Sequence, residues 1–124
     1  MRPALAAAGE RWEAAGPQTY RVTYEIVAID FNRITIDSVI VDGQVTEHRA
    51  TFGGDPVPAT ELNATYFPAT VEDFLAYFDR FAADGDLTSL TLDEHGWYPA
   101  EGATEPVPAA DDGGFSWTLS VDAV

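Results

Sequence analysis

Two histidines, 21 carboxylates and six arginines, with no cysteine and no lysine, are the side chains with which this 124-residue chain would have to do chemistry. His95 stands in Asp93-Glu94-His95-Gly96, just before Trp97 and Tyr98, where an imidazole can act as a base or a ligand. A histidine on a polar turn also serves simply as a solvated side chain. His48 lies between Glu47 and Arg49 on a predicted strand, the place of a surface or cross-strand residue. Carboxylates cluster at Asp84-Gly85-Asp86, Asp93-Glu94 and Asp111-Asp112. Calcium needs roughly six to eight oxygens, and the spaced acidic loop with its closing Glu is missing, so no metal site is predicted. Ser38, Ser89 and Ser116 fall in predicted strands with neither a nucleophile elbow nor an adjacent base. Without lysine there is no Schiff base, and without cysteine no thiolate or disulfide. With so many acids some carboxylates must lie close together, so closeness alone does not argue acid–base catalysis. The residues predict no enzyme and no cofactor.

The aromatic residues are more telling. Trp97 and Tyr98 precede Pro99 in a turn, and Tyr66 and Phe67 precede Pro68 in a long loop. Aromatics exposed on loops anchor partners. Aromatics at the ends of elements also cap cores, and the sequence leaves both roles open. Together with His95, these four are the candidate binding residues.

Charge narrows the partners. The formal net charge is −15 and every positive side chain is an arginine. Such a field opposes nucleic acid, which needs clustered cations, and an anionic membrane surface. It suits a basic protein partner, or simply solubility. No run of about 18 apolar residues exists, so no membrane span is predicted. The opening Met1-Arg2-Pro3 and its short Ala-rich stretch fall below the roughly 7–15 apolar residues of a secretion signal and read as the start of a helix or a mature domain.

The elements that would position these residues follow from periodicity. Pro3 to Ala15 is rich in helix formers, with Leu5, Ala8 and Trp12 on one stripe, and Gly16-Pro17 stops it. Thr19 to Val27 alternates, setting Tyr20, Val22, Tyr24 and Ile26 against Arg21, Thr23 and Glu25. Arg33 to Val41 is a second strand, in which Val39-Ile40-Val41 breaks alternation and suggests a bulge or burial on both faces. Asp42-Gly43 turns the chain into a third strand, Val45 to Phe52. Gly53 to Pro68 is a long loop, expected to be functional or mobile.

Thr70 caps a central helix, with Glu72 and Asp73 in its first turn and Phe74, Leu75, Phe78, Phe81 and Ala82 on its buried face. Gly85 ends it. Leu87 to Leu92 is a strand, Asp93 to Gly114 is turn-rich, and Phe115 to Val121 alternates again. The prediction is one α+β domain over residues 1–124. An N-terminal helix and a central helix cover one face of an antiparallel sheet of about five strands. The last strand is placed at a sheet edge, where edge pairing would make a dimer.

With the elements placed, the chain resembles a family of small uncharacterised bacterial proteins, often exported or lipid-anchored. The matching positions are Trp12 with Gly16-Pro17, Tyr20 to Tyr24, and Val41-Asp42-Gly43. They continue through Thr70-Val71-Glu72-Asp73-Phe74-Leu75, Leu92-Asp93, Gly96-Trp97-Tyr98-Pro99 and Asp111-Asp112. A Cys pair that many members carry is absent, and one extra residue separates Gly96 from Tyr98-Pro99. The resemblance implies the fold and an exported or envelope location, and brings no activity with it.

Three functional readings follow. The first is a non-catalytic, exported or envelope-associated domain that binds a protein or a surface ligand, through the sheet face of Arg21, Thr23 and Glu25 and the loop Gly53–Pro68. The second is an acidic inhibitor or immunity-type protein, cytoplasmic if directed at a self-made toxin, that neutralises a basic partner. The third is a small-molecule enzyme or ligand cup beneath the central helix.

Overall fold

Trp12 shows why the N-terminal segment is a helix that docks. In α1 (Arg2–Ala15) the buried residues are Leu5, Ala8 and Trp12, the stripe that helical periodicity lays on one face. The computed structural model describes residues 2–28, 33–63, 67–85, 87–104 and 115–123.

The strands are β1 (Tyr20–Ala28), β2 (Arg33–Val41), β3 (Gln44–Phe52), β4 (Asp55–Pro56), β5 (Leu87–Leu92), β6 (Pro99–Thr104) and β7 (Phe115–Ala123), and α2 spans Val71–Ala83. They form one sheet in the order β4-β3-β2-β1-β7-β6-β5. Every neighbouring pair is antiparallel. The chain first builds a meander outward from β1. It then crosses through α2 to the far edge and returns strand by strand, so its first and last strands lie side by side.

Alternation decides which face is buried. Tyr20, Val22, Tyr24 and Ile26 of β1 and Trp117 and Leu119 of β7 are in the core, while Arg21, Thr23, Ser116, Thr118 and Ser120 are exposed. Both helices cover that one apolar face. Phe74 of α2 meets Tyr24 at 4.8 Å between ring centres, and Phe78 stacks on Trp117 at 4.4 Å. A capping box at Thr70 and Asp73 starts α2, each side chain bonding the other's backbone N–H. On the open face Arg21 pairs with Asp37, Arg33 with Glu25 and Arg49 with Glu47.

The α+β class, the two helices and the antiparallel sheet agree with the sequence. Two expectations need correction. The sheet has seven strands rather than about five, because β4 and β6 lie in segments that carry no strand signal. β6 reads Pro-Ala-Glu-Gly-Ala-Thr, poor in the branched and aromatic residues that favour strands. Its Gly102 is there for room: a Cβ at that position would sit 2.2 Å from the Trp117 ring and 2.7 Å from the Ser89 carbonyl oxygen. The second correction concerns β7, which is not an edge, since β1 and β6 flank it. The irregularity at Val39-Ile40 is a register shift against β3.

Candidate functional site

Asp93 builds the site. It follows β5, and its own N–H donates to the Tyr98 carbonyl oxygen at 2.9 Å, which closes a tight turn. Its carboxylate is only 7 % exposed. One oxygen accepts from the Trp97 N–H at 2.7 Å and the Tyr98 N–H at 3.1 Å, and the other from the His95 N–H at 3.1 Å. A charged acceptor that satisfies three backbone donors holds this loop in one shape, the role aspartate often takes in turns. Arg11 of α1 adds a tie, donating from Nε to the Gly96 carbonyl oxygen at 2.9 Å.

This frame presents the aromatic residues. The His95 ring lies flat on Trp97, with centroids 4.1 Å apart and planes 12° from parallel. Trp97 in turn meets Trp12 edge-on at 5.7 Å. Trp12 is fixed from its other side by donating from Nε1 to Glu72 at 2.8 Å. Tyr98 points inward, 8 % exposed, and its hydroxyl accepts from the Val121 N–H at 3.2 Å. Between the turn and the end of β7 lies a cleft of about 480 Å³ lined by Pro17, Tyr98, Val121 and Ala123 on one side and by Asp93, Glu94, His95 and Trp97 on the other. Burial pushes the Tyr98 phenol above its ordinary pKa, against the Val121 N–H, and the charges of Asp93, Asp122 and Glu94 push it further in the same direction. Two carboxylates, Asp93 and Glu94, therefore line the cleft.

Of the sequence-derived candidates, His95, Trp97 and Tyr98 come together here. Phe67 does not join them. It packs against the core, as do Val57 and Leu62 of the same loop, over the β2–β3 side of the sheet. Ser38 of β2, fully buried, donates to the Ala69 carbonyl oxygen at 2.6 Å and fastens the end of that loop. Tyr66 lies outside the described residues, as do Asp86, Asp111 and Asp112. Of the two surfaces expected to make contacts, the loop turns Val57, Leu62 and Phe67 against the core, and on the open face Arg21 and Glu25 are ion-paired within the sheet.

His48 takes the cross-strand rather than the surface place of its two expected ones. It stands opposite Ser38 on the core face, beneath Phe67 and Pro68, with Nε2 shut off from solvent and unpaired among the described residues. Burial lowers its pKa, while the nearby backbone of Pro68, the charge of Asp73 and the backbone of Phe67 act the other way. Sequence reasoning missed Asp93 as the organiser of the turn, although Asp followed by Gly and an aromatic before Pro is a turn signature. It also missed the hydrogen bond from Trp12 to Glu72, which no local pattern announces.

Among the described residues no group of three or more His, Asp or Glu is arranged to hold a metal. Among the same residues no helix is long and apolar enough to cross a membrane. Ser38 and His48 face each other across β2 and β3, but the Ser38 hydroxyl donates to the Ala69 carbonyl oxygen and not to the imidazole. Comparison with protein-family models, curated proteins and solved structures found no match.

Proposed function

We propose that the protein is a non-catalytic binding domain that docks a basic partner protein, with the cleft at the Asp93 turn as its point of contact. The observation that carries this reading is the His95–Trp97 stack at the rim of a cleft lined by the carboxylates of Asp93 and Glu94. A stacked aromatic pair offers a flat face to an arginine or lysine side chain, and a surrounding negative field favours the cation over a neutral group. The side chain of Glu94 is 87 % exposed, with one oxygen 3.9 Å from His95 Nδ1, and its exposed carboxylate faces solvent where such a cation would approach. The net charge of −15 would speed encounter with a positive surface. An inhibitor or immunity-type role is the form of this reading in which the partner is itself an active protein. An exported or envelope location rests on the family resemblance and belongs to the proposal.

The test is a titration with a peptide of about ten residues alternating Lys and Gly, which carries charge without strand-forming tendency. The side-chain NMR signals of His95 and Trp97 should shift on binding, and a Glu-Gly peptide should leave them still. Glu94→Gln and Trp97→Ala should each weaken binding by about tenfold, and raising the salt should weaken it further. Equal binding of both peptides, or no shift at His95 and Trp97, overturns the reading.

A further inference from the structure

We propose that β5 is a docking strand, to which a basic, extended segment of the partner adds as an eighth strand. This rests on the reading above for the charge of the partner, and goes beyond it in naming a second contact and its geometry.

The two edges of the sheet are built differently. At one edge β4 is two residues long and contains Pro56, which has no N–H to offer. The part of β3 that β4 leaves uncovered carries Glu47 and Arg49, charges that discourage pairing. At the other edge β5 reads Leu-Thr-Ser-Leu-Thr-Leu, with no charge and no proline. It pairs with β6 on one side and, among the described residues, with no strand on the other. Thr88, Ser89 and Thr91 are exposed. Register shifts beside Ser89 and Thr91 bend the strand, so the regular ladder against β6 runs from Ser89 to Thr91. A short template holds a peptide by few backbone bonds, and the side chains around it must select the occupant.

Those side chains are acidic. Asp84 precedes β5, Asp93 and Glu94 follow it, and exposed Glu101 lies opposite Thr91 in the neighbouring strand. This charge fits lysines or arginines on the added strand. It opposes the commonest alternative occupant, a second copy of this chain, because two molecules each of charge −15 would have to meet edge to edge. Asp93 and Glu94 also border the cleft, so one basic segment laid along β5 would end beside it.

The probe is a peptide of about ten residues alternating Lys and Val, which both carries charge and favours an extended backbone. At saturation, amide exchange at Ser89–Leu92 should slow by about tenfold or more, with no comparable change along Gln44–Ala50. The double substitution Ser89→Lys and Thr91→Lys places like charge on two exposed positions. It should abolish the protection while circular dichroism and melting stay those of the unmodified protein. The same variant should still show the His95 and Trp97 shifts with the Lys-Gly peptide. Shifts at His95 and Trp97 without protection of β5 would overturn strand addition and leave the cleft reading standing. Protection of β5 without those shifts would do the reverse. Protection on the β3 edge, equal binding of a Glu-Val peptide, or peptide-free dimerisation through β5 seen by sedimentation would each overturn the docking-strand proposal.

Discussion

The loop after β4 and the turn after β5 use the same residue types to opposite ends. Each brings an aromatic residue and then a proline to the sheet, Phe67-Pro68 in one and Tyr98-Pro99 in the other, and both prolines are fully buried. In the loop that aromatic is the last layer of the core: Phe67 covers the β2–β3 side, and Ser38 ties down Ala69 beside it. In the turn Tyr98 is the buried ring, and the preceding residue, Trp97, is half-buried and carries the His95 ring on its face. The difference comes from Asp93. A buried carboxylate that gathers three N–H groups fixes the turn, so that Tyr98 is buried while Trp97, packed at the core's edge on Trp12, keeps one face for His95.

Removing the organiser should break this contrast most strongly. Asp93→Ala leaves three backbone donors without their acceptor and should cost about 3 kcal/mol in chemical denaturation. Amide exchange should then accelerate at His95–Tyr98 while the Phe67–Ala69 segment keeps its protection. If both loosen together, the two regions are one cooperative unit and the contrast fails.

Gly102→Ala probes the same side through packing. The added methyl meets the Trp117 ring and the Ser89 carbonyl, and forcing it in should cost about 1–3 kcal/mol. The near-ultraviolet circular dichroism should change as the stack of Phe78 on Trp117 shifts. Unchanged stability would mean that β5 and β6 move away freely to admit the methyl.

Ser38→Ala tests the loop in turn. Loss of one buried hydroxyl that donates to Ala69 should cost about 1 kcal/mol and speed exchange near Ala69, with the Asp93 turn untouched.

The smallest effect belongs to His48. Its native pKa is depressed by burial, so as pH falls the unfolded chain takes up this proton first. The stability it contributes is complete above about pH 6.5 and is lost as the pH drops from there toward the lower native value. Melting temperatures of the unmodified protein should fall more between about pH 7 and pH 5 than those of His48→Gln. Equal slopes would show that the imidazole under Phe67 and Pro68 is not desolvated.

Much of the fold was legible along the chain, because its signals are local. Leu5, Ala8 and Trp12 recur at helical spacing and are the residues α1 buries. Thr70, Asp73 and the apolar stripe through Phe74 and Phe78 specify where α2 starts and which side it buries. Strict alternation in β1 sorts the core tyrosines from Arg21 and Thr23. Asp42-Gly43 makes its hairpin with both residues at positive φ, as that dipeptide favours. The acidic charge and the absence of cysteine and lysine also follow from the sequence itself.

Tertiary structure alone decided the rest. Pro99–Thr104 becomes a strand because β5 and β7 offer backbone partners on both sides, and because Gly102 leaves room for the indole of Trp117. β7 sits in the middle of the sheet beside β1, since a residue pattern with period two fixes which face is buried but not which strand lies next to it. The candidate site divides the same way. The sequence places His95, Trp97 and Tyr98 in one turn. Only the packing of Trp12 on Trp97, and of Tyr98 against β7, determines that Tyr98 is buried and that Trp97 keeps a face for His95. Burial is set by neighbours distant along the chain, and short-range patterns do not record them.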